Sequence, residues 1–304
     1  MNDLGPHPSD LDLSLPLLRG QEGVWFGHKL DPTGTAFSIG QYTDIRGPID
    51  PDRFAAATRQ VVAETETLRL CFEESERGPR QRVAPVPDWS LNVVDVSGRP
   101  APVDAARSWM AERLSRPFEP TRAPLFDWTL IKVVDDRFIW CQICHHLVLD
   151  AYSGSLLAKR VAEVYGAVLA GNEPPCLETA PLAELVAEEG RYRNSERWSK
   201  DRKYWQQLLD GRPEPVQPAE QPPATPAAFN RAAVELPANL ADTLRHLAQK
   251  HGGSLPALMV AAVALYVHRV TGARGLVISI PVLGRSGSVV RRTPAMMANT
   301  IPLS

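Results

Sequence analysis

The most concentrated chemistry in the chain lies at His145-His146, two adjacent imidazoles that close the apolar run from Trp140 to Cys144, with Asp150 four residues beyond. An imidazole with a pKa of about 6.5 can take or steer a proton at neutral pH. An acid at the mouth of a helix either caps it or holds a cation. Side chains alternate along a strand. Extended geometry through the pair therefore puts His145 on the face of Ile139, Cys141 and Ile143, and turns His146 to the opposite face. One histidine is then packed behind the strand and the other is presented to a cavity. Taken alone, such a pair is more often structural than catalytic, so the surrounding chain decides.

Those residues need a strand to carry them and a helix to follow. Residues 137–146 are rich in aromatic and β-branched side chains, which predicts a buried strand, and residues 125–134 predict its partner across the turn at Asp135-Asp136. Leu156, Leu157, Val161, Val164, Tyr165 and Val168 follow a helical period beyond Asp150. Upstream, a loop leads into a short helix within residues 13–30. A strand is expected over 37–46, a helix over 51–66, a strand over 68–72 that pairs with 80–84 and, after residues 89–96, a helix over 101–116. A single long helix is expected over 183–209. Beyond it, a strand at 231–236, helices at 238–251 and 254–271 and a buried strand at 276–283 follow. The mixture reads as an α/β sandwich, an α+β arrangement without any glycine-rich nucleotide loop after a strand.

At 304 residues the chain is long enough for two domains. Prolines crowd residues 211–228, which divides it into a lobe at 1–210, a linker at 211–228 and a second, partial lobe at 229–304. A net charge of −2 gives no basic footprint, which argues against nucleic acid. No uninterrupted apolar run reaches the length of a membrane span, and the polar, acidic start does not resemble a signal peptide. The expected location is the cytoplasm. Cys141 and Cys144 form a C-x-x-C, but their odd spacing on a strand sends them to opposite faces, so they read as core thiols rather than a metal or redox pair. Cys71 and Cys176 have no partner assignable from sequence, and no metal ligand set is expected.

With these pieces in order, the chain resembles the condensation domains of nonribosomal peptide synthetases. The resemblance is carried by Gln21-Glu22-Gly23-Val24-Trp25, by Leu68-Arg69-Leu70-Cys71-Phe72, by His145-His146-Leu147-Val148-Leu149-Asp150-Ala151 in place of HHxxxDG, by Asp201 to Trp205, by Ile280 to Arg285 and by residues 296–303. The stretch from Pro16 to Asp50 is most similar to the enterobactin-synthetase type. Ala151 replaces the signature glycine, Ala295 stands where a glycine is usual, and Glu64-Thr65 occupy the place of a common Arg-His pair.

The resemblance implies two chloramphenicol-acetyltransferase-like lobes in a V, the second incomplete here. Between them a tunnel would admit phosphopantetheine arms, with no cofactor bound directly. It implies an acyltransferase that joins an upstream carrier-bound thioester to the amine of a downstream carrier-bound amino acid, with siderophore synthesis as one setting. The truncated chain itself is expected to be impaired. His146 is then the catalytic or amine-positioning group. His145, Asp150, Arg285 and Arg69 organise the site, with Asp150 paired to Arg285. Ala151, Tyr152, Ser153 and Asn299 are candidates to line the substrate channel. Because the pattern begins close to Met1, the donor carrier is expected on another polypeptide, with acceptor carrier and adenylation domains downstream. A free-standing acyltransferase that uses coenzyme A and a soluble acceptor, and a silent docking module, are the alternatives.

Overall fold

The computed structural model describes residues 14–304 except 32, 215, 217 and 219–232. Contacts divide the chain into two compact units, Met1–Trp198 with Val282–Asn299, and Ser199–Pro281 with Thr300–Ser304. The expected linker therefore lies largely outside the described residues, as do Arg231 and Ala232. Residues 233–236 are irregular rather than the end of a strand.

The first unit is built on a four-stranded sheet. Its strands are β2 (Ser38–Arg46), β5 (Asn92–Asp95), β6 (Phe126–Val134) and β7 (Arg137–His145), in the order β2-β7-β6-β5. β7 runs antiparallel to both neighbours, with Ser38 opposite His145 and Phe126 opposite Cys144, whereas β5 is parallel to β6. All of β7 beyond its first residue is buried, because both faces of the sheet are covered. On one face lie α2 (Pro51–Glu64) and α4 (Ala151–Ala170), which pack Phe54, Val61, Leu157 and Val161 against Trp128 and Trp140. On the other lies α3 (Pro102–Leu114), over Ile131, Val133, Ile139, Cys141 and Ile143. The two indoles meet edge to face at 5.4 Å, the arrangement that aromatic quadrupoles favour.

Local signals set the helices. Asp50 caps α2 by accepting from the amides of Asp52 and Arg53, with Pro51 in the first turn. α4 is capped by Asp150 and ends at Gly171, whose φ of 68° is left-handed. A smaller antiparallel sheet has the order β1 (Leu15–Pro16), β4 (Arg80–Val83), β3 (Leu70–Glu73), and α1 (Arg19–Leu30) follows β1 in sequence. The strand expected over 68–72 begins late. Residues Glu66–Arg69 form a 3-10 turn because the Leu68 amide bonds back to Thr65 and the Thr67 hydroxyl is held by the Pro294 carbonyl at 2.9 Å.

The expected long helix over 183–209 is two helices, α5 (Leu182–Arg193) and α6 (Glu196–Leu209). Asn194 closes the first, and the Ser195 hydroxyl accepts from the Trp198 amide to open the second. In the second unit, α7 (Ala238–Lys250) and α8 (Leu255–Thr271) precede β8 (Ile278–Val282), which pairs with β9 (Asn299–Leu303). A short helix, α9 (Ser288–Arg292), lies between these strands in sequence and belongs to the first unit. β8 was expected to be buried. Its residues alternate half-buried and exposed, because its sheet has two strands only. α8 forms as its Ser254 cap and Pro256 predict, yet none of its residues is buried. Among the described residues, no single helix is long and apolar enough to cross a membrane.

Candidate active site

Strand β7 ends at His145, and the chain turns through 146–149 before α4 starts. Alternation separates the two imidazoles. His145 is wholly buried, with its ring against Phe37 and Phe118 and edge-on to His28 at 4.9 Å. His146 is half-buried and lines a cavity of about 160 Å³ together with Ile39, Gln41, Trp128, Gln142 and Leu149. Cys144, Asp150, Ala151 and Gly154 complete the part of the wall nearest α4.

The hydrogen bonds assign the tautomers. His146 Nδ1 lies 2.9 Å from the Leu149 carbonyl, which can only accept, so Nδ1 carries the hydrogen and, in the neutral ring, Nε2 is the nitrogen with the lone pair. His145 Nδ1 accepts the Leu147 amide at 3.1 Å, which leaves Nε2–H to donate to His28 Nδ1 at 3.2 Å. Burial first, then the neighbouring His28 and His146, hold His145 at a pKa of about 3, so it is neutral at physiological pH.

Asp150 is 2% exposed and binds Arg285, with Oδ2 and Nη2 2.8 Å apart. Its oxygens also accept from the amide and hydroxyl of Ser153 and from the amides of Met297 and Ala298. The Arg285 guanidinium reaches the carbonyls of Thr293 and Ala295 and lies over the Tyr152 ring at 5.0 Å. Asp150 thus ties the start of α4 to residues 285–298. Two glycines permit the close approach. A side chain at Gly20 would strike the carbonyl of Ala298, and one at Gly284, with φ of 64°, would strike that of Met297.

The residues singled out from sequence separate accordingly. Ala151 is exposed and lines the cavity, and Tyr152 serves the arginine. Ser153 is fully buried, and its hydroxyl bonds Asp150, Arg285 and the Ala295 backbone, so it braces the site rather than lining a channel. Arg69 donates to the Ala84 carbonyl just beyond β4 and is not among the residues lining the cavity. Asn299 begins β9 and is not among the residues lining this cavity. Glu64 receives two hydrogen bonds from Arg160, a structural pair at 2.8 Å. Cys141 and Cys144 face opposite sides of the sheet, and burial pushes both thiols up to about 12.

Sequence reading missed Gln21, His28, Gln41, Gln142 and Gly154. Gln41 donates to Gln142 at 2.8 Å across the sheet, and a side chain at Gly154 would strike the Gln41 amide. Polar side chains on a strand face that is otherwise aromatic were the available signal.

The family pattern described as the condensation domain matches residues 13–304. The chain belongs to the condensation-domain family. An isonitrile lipopeptide synthase of Streptomyces coeruleorubidus is 38% identical over 95% of the chain, and a dimodular nonribosomal peptide synthase of Bacillus subtilis 37% over 97%. Enterobactin synthase component F of Shigella flexneri is related at the lower identity of 29% over 95%. This condensation domain spans 12%, 20% and 23% of the Bacillus, Streptomyces and Shigella relatives. Crystal structures of the first condensation domain of the CDA synthetase match 95% of the chain and 69% of theirs, at 33% identity and a TM-score of 0.87. The starter condensation domain of rhizomide synthetase, solved with C8-CoA, matches 97% of the chain and 67% of its own, at 34% identity and a TM-score of 0.82. The α/β architecture is that of these condensation domains.

Proposed function

We propose that the cavity at His146 is where an acyl thioester on an upstream carrier meets the amine of a downstream carrier-bound amino acid. The amine nitrogen attacks the thioester carbonyl, a C–N bond forms, the C–S bond breaks, and the pantetheine thiol leaves with the proton that nitrogen sheds. His146 accepts or steers that proton at Nε2. The observation that carries this reading is its tautomer, because donation to Leu149 leaves Nε2 as the one ring atom able to accept. Ala151 borders the approach, Asp150, Arg285 and Ser153 hold the turn in place, and His145 stays neutral behind it.

The carriers supply their own phosphopantetheine, and carrier and adenylation domains of a synthetase are the partners of this domain. The setting we infer is the cytoplasm. The test is an intact module loaded with donor and acceptor, assayed by mass spectrometry of the downstream carrier. His146→Ala should abolish amide product while carrier loading survives, and undiminished product would reject the assignment. A second reading, with an acyl-coenzyme A as donor, is favoured by the rhizomide starter domain solved with C8-CoA. Product from octanoyl-CoA without a loaded donor carrier would establish it.

A further inference from the structure

The turn that carries His146 is gripped from outside the sheet by one helix. Gln21 and His28 stand seven residues apart on α1, two helical turns, and so project from the same face. Between them, Val24 and Trp25 are buried, which anchors that face of the helix to the core. Gln21 is fully buried and each end of its amide is used. Oε1 accepts the Leu18 amide at 2.8 Å, and Nε2 donates to the Leu147 carbonyl at 3.0 Å and to Gln81 at 2.9 Å. His28, half-buried, accepts the Nε2–H of His145 at 3.2 Å.

These two contacts meet a closed chain of bonds within the turn. His145 Nδ1 accepts from the Leu147 amide, the Val148 amide donates to the His145 carbonyl, and the Leu149 carbonyl accepts from the Nδ1–H of His146. The two peptide groups that flank Leu147 are thereby both held, the N–H of one by His145 and the C=O of the other by Gln21. A rotation about the Leu147 backbone, or of the His145 ring, would shift the Leu149 carbonyl that sets the direction of His146.

We propose that Gln21 and His28 are positioning residues, a two-point clamp through which α1 fixes the orientation of His146. The proposal deepens the reading of His146 given above and rests on it. Ordinary satisfaction of buried polar groups would lower stability on mutation without changing turnover by the folded protein. A clamp changes turnover, because reacting groups displaced by a fraction of an ångström lose rate steeply.

His28 is the side chain to test, because it is half-buried and its replacement spares the core. His28→Ala in the intact module should lower kcat by about tenfold with the acceptor KM within about twofold. His28→Phe keeps the edge-on ring contact but has no acceptor, and should show the same loss. His28→Asn places an amide oxygen near the position of Nδ1 and should recover most of the rate. In nitrogen-15 spectra, His146 should keep a single Nδ1–H tautomer in the native protein and in His28→Asn, and become a mixture in His28→Ala. Native kcat in His28→Ala, or an Asn variant no better than Ala, would overturn the clamp. Absence of product from the unmutated module would count against the proposed function instead, and the spectra would still decide for or against the clamp.

Discussion

Asp150 Oδ2 and Arg285 Nη2 lie 2.8 Å apart, although their residues are 135 positions apart in the chain, and their side chains are 2% and 1% exposed. An ion pair this deep is retained because each partner is also hydrogen-bonded to backbone. Asp150 holds the amides of Ser153, Met297 and Ala298, and Arg285 holds the carbonyls of Val290, Thr293 and Ala295. The pair fastens residues 285–298 to the start of α4, directly after the turn that bears His146.

Removing one partner leaves the other charge buried. Arg285→Ala should destabilise the domain by about 3 to 5 kcal/mol, read as a lower midpoint in urea. Asp150→Asn combined with Arg285→Met removes both charges and should recover part of that loss. A change below about 1 kcal/mol in Arg285→Ala would show that the pair is dispensable to the fold.

His145 gives the fold a pH dependence with a defined sign. Its folded pKa of about 3 lies below its ordinary 6.5, because burial, then His28 and His146, disfavour the cation. Between those values the unfolded chain binds the extra proton, so stability falls as pH falls, by about 1.4 kcal/mol per pH unit at most. Above 6.5 this contribution is level. His145→Gln has no proton to bind, and its urea midpoint should fall less steeply between pH 6.5 and 5 than that of the native protein. Parallel slopes would contradict the assignment.

What could be read in advance follows from the range of each interaction. The opposite facing of His145 and His146 follows from strand alternation, and the Asp150 cap from its place before an apolar helical period. Both are local. The Asp150–Arg285 contact entered only through resemblance, since no periodicity links residues so distant. Ser153 looked accessible because it follows the motif, but the first turn of α4 folds its hydroxyl back onto Asp150 at 2.7 Å. Arg69 looked like a brace for the site, and the 3-10 turn directs it to Ala84 instead. The helix break at Asn194-Ser195 had a local signal in two residues that favour caps, outweighed by the helical period on either side. Gln21 and His28 carry the spacing of one helix face, but their targets, the Leu147 carbonyl and the His145 ring, lie far along the chain, which spacing does not reveal.

The thiols should separate by exposure. Cys176 is exposed, whereas Cys71, Cys141 and Cys144 are buried, and burial pushes Cys141 and Cys144 up to about 12. Since the thiolate is the nucleophile, those two are inert in the native state. Iodoacetamide should modify Cys176 alone in the folded protein and all four after denaturation. With the reagent quenched before the carriers are supplied, the alkylated domain should keep its amide-forming rate, and loss of rate with modification at Cys144 would show that the cavity opens to reagent.

Two glycines near the site should respond differently to the same small substitution. At Gly284 a methyl group would run into the Met297 carbonyl, in a left-handed conformation at φ 64°, and neither backbone can give way cheaply. Gly284→Ala should therefore cost about 1 to 3 kcal/mol or more in urea unfolding. At Gly154 the methyl group would meet Gln41 Nε2 at 2.5 Å, the far end of a flexible side chain. Swinging that amide away breaks its 2.8 Å bond to Gln142 and changes the wall of the cavity that His146 lines. Gly154→Ala should unfold within about 1 kcal/mol of the native midpoint, the net contribution of one such hydrogen bond. Its ratio of products from a small and a large donor, assayed in competition, should shift all the same. An unchanged ratio would mean that neither substrate reaches the Gln41–Gln142 wall.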